Sequence, residues 1–178
     1  MIKKAISFLI LLISIFCIVA SFQADHFTVS RSATYSASAE SLFAKVNNLH
    51  EWNTWSPWAK IDPNAKATFE GPIEGEGAIM KWVSDNDEVG TGSMTITKSI
   101  PNEKVNFDLA FISPFKGTSK ADFTFQSEGN TTKVTWSMYG EKNFISKAMG
   151  LIFDCDKMVG GQFEKGLANL KPLVESSN

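Results

Sequence analysis

Residues Lys120–Tyr139 read KADFTFQSEGNTTKVTWSMY. Ala121, Phe123 and Phe125 alternate with Lys120, Asp122, Thr124 and Gln126. After Glu128-Gly129-Asn130, the residues Val134, Trp136 and Met138 alternate with Lys133, Thr135, Ser137 and Tyr139. Successive side chains of a strand point to opposite faces, so each run carries one apolar and one polar face, and the glycine-centred break between them reads as a hairpin turn. Alternation this strict belongs to an antiparallel sheet with one dry and one wet side.

The same period extends upstream. Val105, Phe107, Leu109 and Phe111 alternate with Asn106, Asp108, Ala110 and Ile112. Met94 and Ile96 are in phase within Ser93–Ile100, Ala78, Met80 and Trp82 within Ala78–Ser84, and Thr68–Gly71 is a short strand. The first strand places Phe27, Val29, Ala33 and Tyr35 on one face, with Arg31 as its polar member. Asp62-Pro63-Asn64, Asp85–Glu88, Pro101-Asn102 and Ser113-Pro114 supply turns. Helical spacing occurs twice. Leu42, Phe43, Val46 and Leu49 predict a helix over Ala39–Leu49, capped by Ser38. Ile152, Cys155, Val159, Phe163, Leu167, Leu170 and Val174 form one stripe. They predict a single long helix from Phe144 to about Lys171, roughly 42 Å at about 1.5 Å per residue. Gly150, Gly160, Gly161 and Gly166 weaken it, and Pro172 is expected to end or kink it.

Composition narrows the function classes. Apolar residues make up 43% of the 178-residue chain and charged residues 20%, the balance of one globular domain with a real core. Seventeen basic residues face nineteen acidic ones with no basic stripe, so the electrostatic footprint of a nucleic-acid binder is missing. Lys3 and Lys4 precede an uncharged run, Ala5–Phe22, which as a helix is about 27 Å long. That approaches the roughly 30 Å hydrocarbon core of a bilayer. We expect residues 1–24 to be a retained membrane anchor, the alternative being a signal cleaved after Val19-Ala20-Ser21, and residues 25–178 to be the folded domain. The flanking lysines place the domain on the periplasmic, extracytoplasmic side of a single-pass protein. Cys17 and Cys155 show neither zinc spacing nor a sensible pairing.

Several stretches carry a family resemblance: VSRSATY (29–35), NNLHEWNTWSPWAKIDPNAK (47–66), FEGPIEGEGA (69–78), GTGSMTI (90–96), TKVTWSMYGEKNF (132–144) and DKMVGGQFEKGLANLK (156–171). Together they cover about Phe27–Val174. Their order resembles the START-like (SRPBCC) superfamily, and within it the bacterial polyketide cyclase/dehydrase and lipid-transport group. The resemblance implies an α+β helix-grip fold. A curved seven-stranded antiparallel sheet would wrap around the long C-terminal helix and leave a cavity between them, with the transmembrane helix preceding it.

The aromatic residues are the candidate site. Trp52, Trp55 and Trp58 are three apart and share a face in a helical turn; they either plug one end of the core or wall a cavity mouth. Trp82, Phe107, Phe111, Phe123, Phe125, Trp136 and Met138 on the dry sheet face, and Phe153 in the last helix, are the other cavity candidates. Gly160-Gly161 reads as close packing against an aromatic of the sheet, or as a flexible point beside an entrance. No catalytic motif occurs. His26 and His50 read as surface residues, Asp154 and Asp156 do not share a helix face, and Asp85, Asp87 and Glu88 lack calcium-loop spacing. Arg31 and Lys81 face either a ligand carboxylate or a nearby acid.

The sequence therefore predicts membrane-tethered binding of a hydrophobic small molecule or lipid, with no cofactor or metal and no defined protein partner. A cyclase- or dehydratase-type enzyme acting in the same cavity, or a partner-binding module with a solid interior, are the alternatives.

Overall fold

A computed structural model describes residues 2–175. Helix α1 (Ile2–Ser21) leads into β1 (His26–Tyr35). Then come α2 (Ala39–Asn47), a 3-10 turn at Leu49–Glu51, and two short helices, α3 (Trp52–Trp55) and α4 (Pro57–Ile61). Six strands follow: β2 (Lys66–Glu70), β3 (Ile79–Val83), β4 (Thr91–Ile100), β5 (Lys104–Ser113), β6 (Gly117–Glu128) and β7 (Thr131–Glu141). Helices α5 (Phe144–Gly150) and α6 (Cys155–Glu175) complete the chain.

All seven strands form one antiparallel sheet in the order β1-β7-β6-β5-β4-β3-β2. The hairpin at Gly129 pairs Phe123 with Trp136 and Phe125 with Val134, so the two apolar sets share the inner face. The outer face pairs polar groups across strands: Ser32 Oγ and Thr135 Oγ1 lie 2.8 Å apart, and Lys104 meets Asp122 at 2.9 Å. The register collects His26, Glu141, Gly117, Ser113, Thr91, Val83 and Lys66 at one end of the sheet. The C-terminus of α1 and the N-terminus of α6 stand at this same end.

Helix α6 is tied to β1 along its length. Near its start Arg31 reaches from the inner face to both Asp156 carboxylate oxygens (2.8 and 3.1 Å), the Asp156 carbonyl (3.2 Å) and Glu164 (2.7 Å). Further along, the buried Tyr35 hydroxyl donates to the Leu167 carbonyl at 2.7 Å, and at the far end the Ser36 amide donates to Glu175 at 2.9 Å. Phe163, Leu167, Leu170 and Val174 deliver the apolar stripe into the core.

The expected single C-terminal helix is two helices. Asp154 accepts the Lys157 amide at 3.0 Å and so opens α6 as its N-terminal cap, while the Ile152 and Phe153 amides turn back to the Met149 carbonyl beside Gly150. The break swings Ile152 and Phe153 away from the stripe, and both are exposed. Pro172 does not end α6; it lies at an exposed position of the last turn, where water can satisfy the carbonyl its missing N–H leaves free. Gly160 packs against Arg31, not an aromatic: a Cβ there would lie 2.2 Å from the guanidinium. The glycine that meets aromatics is Gly166, whose Cβ would lie 2.8 Å from Trp136 and 3.6 Å from Trp55.

These contacts separate the helix glycines. Gly166→Val forces a branched side chain into a filled site and should lower stability by about 1–3 kcal/mol. Gly161→Ala meets nothing within 4 Å and should raise it by about 0.5–1 kcal/mol through helix propensity. Urea denaturation of both variants checks the pair; equal effects would refute the packing described here. A second prediction concerns pH. Hydrogen bonding from Arg31 holds the Asp156 carboxyl below its usual value of 3.8. A depressed carboxylate stabilises the fold above its unfolded value and loses that contribution as pH falls through the folded one. The stability gap between wild type and Asp156→Asn should therefore be constant near neutrality and close below about pH 3.8, as measured by melting temperature against pH.

Candidate ligand cavity between sheet and helix

The core is organised around Trp136. Phe163 of α6 stacks on it at 4.0 Å and 11°, and Phe123 of the neighbouring strand lies on it at 4.8 Å and 29°. Trp52, Trp55 and Trp58 present edges to it at 6.0, 5.6 and 5.9 Å. Ser56 breaks the helix between Trp55 and Pro57 with an extended ψ of 130°, and this lets all three rings converge on one side. Trp52 and Trp55 donate their ring N–H groups to the carbonyls of Val46 (2.8 Å) and Lys45 (3.1 Å), which pins them to α2.

Beyond this cluster the sheet curves away from α6, and a cavity of about 440 Å³ remains. Trp52, Trp58, Phe107, Trp136 and Phe163 form its floor, and Met80, Met94, Leu109, Ala121 and Met138 form the sheet wall. Val159 is contributed by α6. Toward the open end of the sheet it is bounded by Trp82, Val89, Phe111, Pro114 and Phe115, with Lys66, Asp87 and Glu88 exposed at the rim. Gly92 makes the Trp82 wall possible, since a Cβ there would lie 2.5 Å from the indole; the ring crosses that bare backbone to meet Phe111 at 6.1 Å. Trp82 Nε1 donates to the Val89 carbonyl at 3.2 Å, so its polar edge is turned into the β3–β4 turn.

Seven of the residues singled out in the sequence thus line the void: Trp52, Trp58, Trp82, Phe107, Phe111, Trp136 and Met138. Four stand elsewhere. Trp55 and Phe123 are buried beneath the floor, Phe125 packs edge-on against Phe43 at 5.8 Å, and Phe153 is exposed on the link between α5 and α6. Met80, Met94 and Leu109 carried the right signal, being in phase with Trp82 and Phe107. Phe115 and Pro114 sit in an irregular turn where no period points to them.

The wall is chemically quiet. Among the described residues the charged side chains on the lining are Lys66, Asp87 and Glu88 at the rim, and neither histidine reaches it; His50 instead stacks on Phe69 at 3.8 Å. Arg31 is committed to Asp156 and Glu164, and Lys81 to Glu70 at 2.5 Å. Among the described residues no group of three or more His, Cys, Asp or Glu could hold a metal ion. What the arrangement can do is exclude water from an apolar guest.

The architecture recurs in solved structures. A START superfamily protein from Mycobacterium smegmatis is 16% identical with a TM-score of 0.60, covering 85% of this chain and 99% of that one. A Mesorhizobium loti protein, MLL2253, gives 17% and 0.58 over 85% and 99%. The Aha1 dimer from Colwellia psychrerythraea gives 17% and 0.58 over 84% and 96%. At these identities the likeness is one of fold. No functionally curated protein matches the sequence. The profile of the family described as "Polyketide cyclase / dehydrase and lipid transport" matches residues 26–175, the whole of the sheet and its gripped helix, and the chain belongs to that family.

Proposed function

We propose that the protein is a membrane-tethered carrier that binds a hydrophobic small molecule or lipid between the sheet and α6. The observation that supports it most is the 440 Å³ void with an apolar interior and charges only at its rim. Pockets of roughly 300–1,000 Å³ accept drug-sized guests, and an apolar lining favours them by about 25 cal/mol for each Å² of surface removed from water. A guest burying about 300 Å² gains roughly 7.5 kcal/mol before association costs, so a preformed cavity matters. Helix α1 supplies the tether in this reading: twenty residues, apolar but for Lys3, Lys4 and its serines, with a length and composition that suit a membrane anchor or a signal sequence. Residues 1–24 would then anchor the domain formed by 25–178.

The cyclase or dehydratase reading needs an acid or base within reach of the guest's reacting atoms. The titratable groups on the lining, Lys66 and, in the β3–β4 turn, Asp87 and Glu88, are all exposed at the rim, which favours binding over turnover.

Native mass spectrometry of the purified full chain, followed by uptake of a fluorescent fatty acid, tests the proposal. Wild type should carry or take up an apolar guest. Ala121→Phe points a ring into the void and should reduce uptake at least tenfold while leaving the melting temperature near wild type. No occupancy and no uptake across a lipid panel would sink the carrier reading; uptake unchanged by the variant would place the guest elsewhere. Placement is tested separately. A C-terminal reporter active only outside the cytoplasm should be active, because Lys3 and Lys4 lie in the first turn of α1, ahead of its uncharged run. An inactive reporter overturns the orientation.

A further inference from the structure

The open end of the sheet coincides with the end at which the chain leaves α1, and an exposed apolar surface gathers there. Only residues 22–25 separate α1 from β1, a reach of at most about 14 Å at 3.3–3.6 Å per residue. Helix α5 packs against α1. Along α1, only Cys17 and Ala20 are drawn out of full exposure, so that contact lies in its last turns. Lys147 of α5 pairs with Asp25, and the Lys142 amide donates to the Asp25 carbonyl at 2.7 Å, locking α5 beside the exit.

A twenty-residue helix is about 30 Å long, the thickness of the hydrocarbon core. An element packed at positions 17–20 of such a span therefore sits at the boundary between hydrocarbon and headgroups. Phe144, Ile145, Leu151, Ile152, Phe153 and Met158 lie on α5, the α5–α6 link and the start of α6, and all are exposed. A monomeric soluble surface rarely leaves such a run uncovered. The surrounding charges are mixed: Lys142 and Lys157 stand among Glu141, Asp154 and Asp156. Apolar insertion, rather than attraction to anionic lipid, is the driving force this surface offers. Phe115, also exposed, connects the surface to the cavity: it lines the mouth, and it shares a groove with Lys142, Asn143 and Ser146 at the start of α5.

We infer that α5 and the α5–α6 link form an interfacial membrane-docking surface that lays the cavity mouth against the bilayer, so that the guest enters from the lipid phase. This deepens the carrier proposal and rests on α1 being a retained anchor.

The test uses the full chain in vesicles of phosphatidylethanolamine and phosphatidylglycerol, with Cys17→Ala and Cys155→Ser as background. An environment-sensitive fluorophore is attached at Ile145→Cys, at Ile152→Cys, or at Asn130→Cys in the turn at the far end of the sheet. Positions 145 and 152 should emit several-fold more strongly than position 130 and be quenched by lipids brominated near the headgroup. Both effects should persist in high salt, as apolar insertion requires. Water-like emission at 145 and 152 overturns the inference. So does emission that rises with protein density and ignores brominated lipid, which identifies a second copy as the occupant. Alkaline extraction of the chain would remove the anchor on which the inference rests and overturn it too. Guest binding is scored independently: immersed probes in a chain that takes up no lipid leave the docking surface standing while the carrier reading falls. Ile152→Asp with Phe153→Asp should release the probe at 145 from lipid while α1 keeps the chain in the vesicle.

Discussion

Trp136 is clamped between Phe123 below it in the sheet and Phe163 above it on α6, with three tryptophan edges closing the remaining side. Each such ring buries about 150–250 Å², and favourable aromatic geometry adds about 0.5–1.5 kcal/mol per pair. This cluster joins the sheet, the gripped helix and the α3–α4 segment at one point. The clamp also sets a minimum separation between sheet and helix. Gly166 reduces it on one side, by letting the backbone of α6 descend onto the Trp136 ring. Toward the open end Val159 of α6 and Leu109 and Met138 of the sheet line the cavity instead. The cavity is thus the consequence of tight aromatic packing at one place and curvature beyond it.

A helix held over a void needs ties that do not depend on apolar contact at that point. Arg31 supplies them. It is the one charged residue on the inner face of β1, and it lies where α6 begins. Five hydrogen bonds, to Asp156, Glu164 and its neighbouring Ser30 carbonyl, satisfy the planar fork. The bidentate pair fixes direction as well as distance. Replacing Gly160 by any residue with a Cβ would push the fork aside, so the glycine that weakens the helix is needed for the tie that positions it. Together Arg31, Tyr35 and Glu175 hold α6 parallel to β1, with Val159 near its start facing the cavity and Leu167, Leu170 and Val174 sunk in the core.

The architecture was legible because its carrier is a period of two. Every strand from β3 to β7 announced its inward set through alternation, and the same sets now line the core or the void. The site was legible only in part. Periodicity tells which face a residue is on, not how far the opposite layer stands from it, so Phe123 and Phe107 looked alike although one is part of the clamp and the other faces the cavity. The C-terminal misreading has a local cause. Leu151-Ile152-Phe153-Asp154 keeps the spacing of a helix, but the Asp154 carboxylate takes the Lys157 amide and starts a new one. The apolar spacing of Ile152 and Phe153 belonged to a different surface from that of Phe163 and Leu167, and hydrophobicity alone does not distinguish a core from an exposed patch. Gly160 and Gly166 likewise looked equivalent; only coordinates show that one faces a guanidinium and the other an indole.

The polarity of the molecule links these features. Strand ends, helix starts and the α1 exit fall together because an antiparallel sheet with short hairpins returns the chain to the same end on every second strand, and β1 and α6 run in the same direction. The clamp lies inward of that end: Trp136 sits opposite Arg31 in the middle of β1, and the cavity opens between it and the strand ends that Trp82, Phe111 and Phe115 border. In a chain whose first helix holds it at a bilayer, an unfilled apolar interior would open where hydrocarbon is nearest. An apolar guest would then cross from lipid to cavity past Phe115 with less exposure to water than any route through the far end of the sheet would allow.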